Sequence, residues 1–600
     1  MSLLDRYIIS LCSPVWLVSA VLILLLASAR GIGGWLLNER RDGFSAVALG
    51  MAVLAAARLL PWNALPYSGG WGPALLLLPA GCGMASVWSD VGWFRRRPIA
   101  LSVLAVWGVF TLASAFLPPY GWDEQVYQTA LWMRFPGLPV VADNPYSAYP
   151  LLPQFFLDWG RRWGGLELPR LTVWALTLLL AGKLFAETSR RCGPAGATVL
   201  SIAVMFAPVS LTLQRSFYAE TFIAVFALAG WLCLEHEEDA KRACFLAGVF
   251  AGACAAVKLT GGGAALMLFV CAFNRRRVGG FLLGALLTAT PFYLRPMLFC
   301  GNPVYPFGAL LFGGAETASV ERFFRELGSY RYGLSGFPGV ALGWLFACFY
   351  GRIYDGVVCG FGIMVLSVLL TVSVFLRRDQ TSGIRYASLL AGYLFWALSS
   401  QQTRFLYPLF FPAALVFSEL SARWSRRGRA VALAGLALGM ALSLPEVLPH
   451  MRHHPTAWRV LPSARRAPAE FLARVAGREY VNTLEKIAEL VPPGKRVLLL
   501  FERRTLFIPA VVEHGTPFFQ EKRFTPPPDS GEELFSGLKG FDYVLLGSAS
   551  GKPDHLESYD EIEAALRLRL AALVSAGKLR FAYDPVKFHA CPLFEVVHER

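Results

Sequence analysis

The stretch Tyr120-Gly121-Trp122-Asp123-Glu124-Gln125-Val126-Tyr127 follows an apolar run, Ile99 to Leu117, and opens the first long loop of a largely hydrophobic chain. Two adjacent carboxylates just past an apolar run mark either the plain edge of a membrane span or the chemistry of a membrane enzyme. The surrounding pattern decides which. The chain has 600 residues, 55% hydrophobic and 16% charged, with a mean hydropathy of +0.48, whereas soluble domains carry about a quarter charged residues. This composition describes a polytopic all-α membrane protein. A span needs about 20 apolar residues, and Lys/Arg mark cytoplasmic ends.

Working back from the carboxylates, Arg95-Arg96-Arg97 precede Ile99, so the run from Ile99 exits outward and the loop from Pro118 to about Arg170 is extracytoplasmic. Earlier runs at Ser13 to Ser28, Phe44 to Trp62 and Trp71 to Trp93 fit the same sidedness, with Arg30, Arg40 and Arg41 inside and the N-terminus outside. No cleavable signal peptide is expected, because the basic residues follow the first apolar run.

Working forward, spans are expected at about Leu171 to Glu187, Ala195 to Leu213, Tyr218 to Leu234, Ala243 to Val257, Leu259 to Phe273 and Val278 to Met297. A second outer loop, Phe299 to about Asp355, precedes spans at Gly356 to Leu376, Arg385 to Ser399, Phe405 to Leu420 and Ala430 to Leu448. Arg190-Arg191, Lys241-Arg242, Arg275 to Arg277, Arg377-Arg378 and Arg423 to Arg429 all fall on the inner side. The count is about fourteen, and an even count returns the C-terminus to the outer face. The run beginning at Leu259 opens with Gly261-Gly262-Gly263 and reads as a broken helix, and Ala341 to Tyr354 is apolar but followed by Arg352 and Asp355 within the same stretch.

From His450 the composition becomes that of a soluble domain, with 21 Lys/Arg against 19 Asp/Glu, so nearly all of the net charge of +15 lies in the membrane part. That excess is topology signal and not a nucleic-acid footprint. Arg496 to Phe501, Phe541 to Leu546, Leu579 to Tyr583 and Leu593 to Val597 read as strands, and Asn482 to Leu490 and Tyr559 to Ser575 as helices. The expected organisation is N-terminal spans 1–117, first outer loop 118–170, transmembrane core 171–448 with outer loop 299–355, and a C-terminal α/β domain 449–600.

Several residues carry candidate chemistry. Asp123 and Glu124 open what reads as a short interfacial helix with Trp122, Val126, Thr129 and Met133 on one side, and Tyr127 one turn from Asp123. A carboxylate there could take a proton from an acceptor, or simply begin a solvated helix. Lys258 and Arg404 fall at outward ends, against the topology tendency, and suit a lipid phosphate; snorkelling is the bland account. Arg215 and Glu220 share an outer turn, where an ion pair between them is the bland account. Gly301-Asn302-Pro303-Val304-Tyr305-Pro306-Phe307 is rigid and either lines a groove or packs as a loop. His450, His453 and His454 have i, i+3, i+4 spacing suited to a metal, with no acidic or cysteine ligand beside them. The chain has no GxxxxGK[ST], GxSxG or HExxH motif.

Taken in order, Trp122-Asp123-Glu124 with Tyr127, Tyr149-Pro150, Lys258-Leu259-Thr260-Gly261, Gly301 to Pro306, and Gln402 with Arg404 and Pro408 resemble the bacterial integral-membrane glycosyltransferases of the GT-C class. The likeness is to the protein mannosyltransferase and aminoarabinose transferase superfamily. It implies transfer of a hexosyl or pentosyl group from a polyprenyl-phosphate-linked donor to a hydroxyl or amine, with inversion, at the outer face of the cytoplasmic membrane. By that resemblance Asp123 is the general base, with Glu124 assisting or competing, and Lys258 and Arg404 hold the donor phosphate. Tyr127, Arg215, Glu220, Asn302 and Tyr305 are implied to contact substrate. The acceptor class (glycolipid, polysaccharide or protein) stays open, as does dependence on a divalent metal, in which members of the class differ. The three spans before the carboxylate loop exceed what many members have. The rivals are a transporter or flippase of lipid-linked sugars, whose paired broken helices are absent from the sequence, and a non-enzymatic assembly factor.

Overall fold

The computed structural model describes residues 1–37, 43–59, 76–84, 98–135, 137–140, 145–273, 277–305, 307–312, 334, 336–351, 354, 356–377, 380–502, 504–515, 531–547, 557–583 and 591–598. Arg40, Arg41, the ends of the Trp71 to Trp93 run, Arg95 to Arg97, Arg275, Arg276, Pro306, Arg352, Asp355, Arg378 and residues 313–333 of the second outer loop lie outside that set.

Long apolar runs have no water to satisfy their backbone in a bilayer, so they close their hydrogen bonds internally as helices. The membrane part comprises α1 (Leu3–Leu11), α2 (Val15–Leu37), α3 (Gly43–Leu59), helical residues 76–84 and α4 (Pro98–Ala115). After the first outer loop, which holds α5 (Thr129–Arg134) and α6 (Leu152–Asp158), come α7 (Leu168–Met205), α8 (Pro208–Leu213), α9 (Glu220–His236), α10 (Ala240–Val257), α11 (Gly262–Phe273) and α12 (Val278–Cys300). The last group is α13 (Gly336–Phe349), α14 (Phe361–Arg377), α15 (Gln380–Leu398), α16 (Tyr407–Ala422), α17 (Arg426–Leu442) and α18 (Leu444–Arg466).

Among the described residues, five helices are long and apolar enough to cross a membrane, or six if the bent pair α17–α18 is one span, and five shorter apolar helices accompany them. The chain is a multi-pass membrane protein. Length alone thus supports fewer full spans than the fourteen expected. Two expected spans run together as the 38-residue α7, which breaks at Gly193 (φ 79°) before Pro194, a residue pair that ends one helix and begins the next. The run at Leu259 is broken as expected: a 3-10 turn, Leu259–Gly261, precedes α11. Helix backbones approach closely where glycine permits it; a Cβ on Gly248 of α10 would lie 2.0 Å from the Phe281 carbonyl of α12, and one on Gly284 would lie 2.2 Å from that of Phe245.

The soluble domain begins later than expected, because α18 continues through His450 to Arg466, its buried His454 packed against Phe110 of α4. Beyond it lie α19 (Pro468–Val475), α20 (Arg478–Leu490), β1 (Arg496–Leu500), β2 (Val511–Gly515), α21 (Gly531–Leu538), β3 (Tyr543–Leu546), α22 (Glu557–Ser575), β4 (Leu579–Tyr583) and β5 (Leu593–Val596). The sheet has the order β2-β1-β3-β5-β4, with β2, β1 and β3 parallel and β5 and β4 added antiparallel. Four of these strands follow the sequence reading; β2 is additional.

Both ends of the described chain meet on one side. The α1 helix, closed by a Ser2–Asp5 capping box, lays Leu4 and Ile8 against Leu472, Leu484 and Phe507 of the tail domain. Asp5 accepts the Ala469 N–H at 3.0 Å, and Arg134 of α5 donates to the carbonyls of Ile508 (2.5 Å) and Ala510. At the opposite end, Arg191 of α7 and Arg385 of α15 meet Glu235 of α9, and Arg385 reaches Glu419 of α16. Arg191, one of the basic residues read as inner, thus shares Glu235 with Arg385. Arg134→Ala removes two charge-assisted hydrogen bonds from the seam, and should loosen the tail domain by about 2 kcal/mol. Limited proteolysis should then cut within residues 467–515 sooner than in wild type, with the membrane helices still protected.

Candidate active site

The start of the first loop, Glu124 to Trp132, is packed inside the protein. Glu124–Gln128 form a π-helical turn that runs into α5, and Val126, Thr129 and Trp132 are buried. The expected interfacial helix is thus an internal one, because the tail domain covers it: the Thr505 and Leu506 N–H groups donate to the Gln125 carbonyl at 3.0 and 3.3 Å. The Arg504 guanidinium lies 5.4 Å from the Trp122 ring, and 3.6 Å from that of Tyr480.

The two carboxylates part company. Glu124 is fully buried and paired with Arg170, whose Nε donates to Oε1 at 2.6 Å and whose Nη2 donates to Oε2. The N–H groups of Gly121 (3.0 Å) and Phe217 (2.6 Å) complete its shell. Such a carboxylate is locked into the fold. Asp123 faces the other way, its side chain 17% exposed, with Oδ2 2.9 Å from Arg404 Nη2 and accepting from the Tyr127 hydroxyl at 3.2 Å. Burial first, and then the Asp123 charge, push the Tyr127 phenol well above its ordinary range, so it stays a donor to Asp123. Tyr127 stacks on Tyr146 at 4.7 Å and meets the edge of Tyr149 at 6.2 Å, while Gln128 donates to its hydroxyl at 3.2 Å.

Arg404 links this carboxylate to a second one. Glu220, in the first turn of α9 and fully buried, has Oε1 3.7 Å from Arg404 Nε and 3.5 Å from Lys258 Nζ, and its Oε2 has no hydrogen-bond partner among the described residues. Lys258 closes α10 in an extended conformation (φ −166°, ψ 152°), so the helix stops where its side chain turns inward beside the Phe405 ring at 4.7 Å. Arg404 sits in a 3-10 turn, Thr403–Leu406, with its guanidinium 4.8 Å from the Tyr218 ring. Four residues chosen separately from the sequence, Asp123, Glu220, Lys258 and Arg404, form one contiguous cluster of alternating charge. Beside it a narrow cleft is lined by Thr260, Gly263, Phe395, Trp396, Phe405 and Leu409. Phe405 belongs to both, so the cleft begins at the cations.

Arg215 does not pair with Glu220. Its guanidinium donates to Thr212 Oγ1 at 3.0 Å and to His450 Nδ1, because α8 turns it toward α18 while Glu220 faces the interior. Asn302 holds its own turn, accepting from the Val304 N–H at 2.9 Å and donating to the Phe307 carbonyl at 2.8 Å, and Tyr305 is partly exposed on that turn. The three histidines take separate partners: His450 meets Thr212, His453 meets Tyr120 and His454 meets Ser114. No three His, Cys, Asp or Glu side chains converge as a metal site among the described residues. Sequence reasoning missed Arg170 and the tyrosines Tyr146 and Tyr218. Arg170 had a signal: it is the basic residue that directly precedes the apolar run from Leu171.

These contacts separate two roles. Glu124→Gln leaves the buried Arg170 without its counter-ion and should cost about 3–5 kcal/mol, whereas Asp123→Asn at the partly exposed position should change stability by less than about 1 kcal/mol. Thermal unfolding of the detergent-purified variants separates the two.

A family model described as a domain of unknown function, DUF8201, matches residues 198–411, the span holding Glu220, Lys258 and Arg404. No curated protein matches the chain. Among solved structures, ArnT from Cupriavidus metallidurans bound to undecaprenyl phosphate is similar with a TM-score of 0.51 and 14% identity, over 84% of this chain and 98% of that one. The apo form of the same protein gives a TM-score of 0.53 at the same identity and coverage. The GT-C-like resemblance drawn from the motifs therefore extends to the fold, which this chain shares with ArnT over most of its length.

Proposed function

We propose that this protein is a membrane glycosyltransferase that moves a sugar from a polyprenyl-phosphate donor to an acceptor hydroxyl or amine at the outer face of the cytoplasmic membrane. The observation that carries this reading is the sharing of one charged cluster by Asp123, Lys258 and Arg404, beside a cleft lined by Phe405, Phe395 and Leu409. A phosphate suits the two cations and a prenyl chain suits the cleft. Undecaprenyl phosphate, bound in the similar ArnT structure, is the leaving product that such a donor would release.

In the reaction, Asp123 takes the proton of the acceptor as its oxygen or nitrogen attacks the anomeric carbon. The bond from that carbon to the phosphate oxygen breaks, the electron pair leaves with the polyprenyl phosphate, and configuration inverts. Lys258 and Arg404 stabilise the second negative charge that develops on the phosphate. Glu220 holds the two cations side by side when the site is empty, and Tyr127 keeps Asp123 aimed. Glu124, saturated by four N–H donors, supports the loop and takes no proton. The tail domain, on the side of Asp123, is extracytoplasmic in this reading, and the sealed cluster of Arg191, Glu235 and Arg385 is cytoplasmic.

Asp123→Asn should lower sugar transfer by about 10²–10⁴-fold, measured as release of polyprenyl phosphate from a panel of polyprenyl-phosphate sugars. Wild type that consumes none of these donors, yet moves lipid-linked sugar across reconstituted membranes, would replace this reading with a transporter. Lys258→Ala should weaken binding of farnesyl phosphate by roughly tenfold to a hundredfold, read by calorimetry in detergent.

A further inference from the structure

Arg295 lies near the end of α12, just before Pro296, and is 8% exposed. Its guanidinium meets no carboxylate among the described residues. It gathers main-chain carbonyls of the first outer loop instead: Nη1 donates to Leu138 at 2.8 Å, and Nη2 to Tyr149 at 2.7 Å and to Ser147. The Phe155 ring lies 5.4 Å away. Burying a cation is costly unless its donors are used, and here both Nη atoms are bonded to carbonyls while Nε has no partner among the described residues.

The stretch that Arg295 gathers is strained at both ends. Leu138 has φ 50° and Leu151 φ 58°, left-handed values that leucine rarely adopts, and both side chains are buried, at 2% and 3% exposure. Such residues persist where the surroundings over-determine them. Between them stand Tyr146 and Tyr149, packed on Tyr127, which in turn donates to Asp123. A guanidinium can bond carbonyls in several directions at once; a lysine ammonium, with all donors on one atom, cannot span them equally.

We infer that Arg295 is a positioning residue: by drawing the Leu138, Ser147 and Tyr149 carbonyls together it sets the Tyr146–Tyr149 wall against Tyr127, and so fixes the geometry around Asp123. Its kinetic consequence rests on the glycosyltransferase reading; its structural one does not.

The test compares Arg295→Gln and Arg295→Lys with wild type in three measurements: amide hydrogen exchange, binding of farnesyl phosphate, and sugar transfer from polyprenyl-phosphate donors. In Arg295→Gln the amides of Tyr146, Ser147 and Tyr149 should exchange at least tenfold faster while those of β1 do not change. Farnesyl phosphate affinity should stay within twofold, because Lys258 and Arg404 are untouched, while kcat/KM for transfer falls at least tenfold. Arg295→Lys should lie between. Transfer within twofold of wild type, or farnesyl phosphate binding lost in step with transfer, would overturn the inference. Should Arg295→Gln not fold, Tyr149→Ala keeps the carbonyl clamp and removes part of the wall. It should lose transfer tenfold with unchanged exchange, and a wild-type rate would sink the idea. Wild type that transfers no sugar at all ends the glycosyltransferase reading, and the exchange comparison then decides alone whether Arg295 holds the stretch.

Discussion

The buried pair of Glu124 and Arg170 is the contact on which the rest of the site depends. Its carboxylate accepts from the loop itself at Gly121, from the α8–α9 turn at Phe217, and twice from the first turn of α7 through Arg170. Arg170 also donates to the Leu117 carbonyl at 3.0 Å and lies 4.7 Å from the Tyr120 ring. One ion pair therefore joins the end of α4, the π-helical turn, α7 and the start of α9. A buried ion pair contributes little net stability over an apolar packing, but losing half of it is severe. What it supplies here is register: it fixes which of two neighbouring carboxylates turns inward and leaves the other facing the cleft.

The charged cluster follows from that register. Asp123 and Glu220 bracket Arg404, and Lys258 closes the row, so the empty site is nearly neutral although each of its members is expensive to hold near a membrane. An incoming phosphate would compete with the carboxylates for the same cations. The site is thus pre-assembled for an anion without carrying an unpaired buried cation while it waits, and the orphan Oε2 of Glu220 marks where that balance is incomplete.

Much of this was legible in the sequence because charge in an apolar context stands out. Glu220, Lys258 and Arg404 each went against a local preference, Asp123 stood beside them at the head of the loop, and all four meet in the structure. The partners were harder. Arg215 and Glu220 are close in sequence and suggested a pair, yet the helix start between them points them to different neighbours. Arg170 and Arg295 were not singled out, because nothing local reveals that one meets a carboxylate and the other three carbonyls. The tail domain's own strands were readable from their β-branched and leucine runs, but its docking on Gln125 joins residues far apart in the chain, for which a single sequence holds no periodic signal. The late domain boundary has a similar origin: α18 is polar enough to read as soluble, and only its contacts with α4 make it part of the helical body.

The seam between α1 and the tail domain also bears on how the protein is made. Leu4 and Ile8 are made well before their partners Leu472, Leu484 and Phe507, with all the membrane helices between them in the chain. Contacts of such separation form late and slowly, after the intervening helices have been inserted one by one. Until then α1 presents an uncovered apolar face, and the Gln125 carbonyl lacks the two amides that cap it. Synthesis of the membrane helices alone therefore leaves the π-helical turn beside Asp123 uncovered; it is capped only when the tail domain docks on α1 and on Gln125.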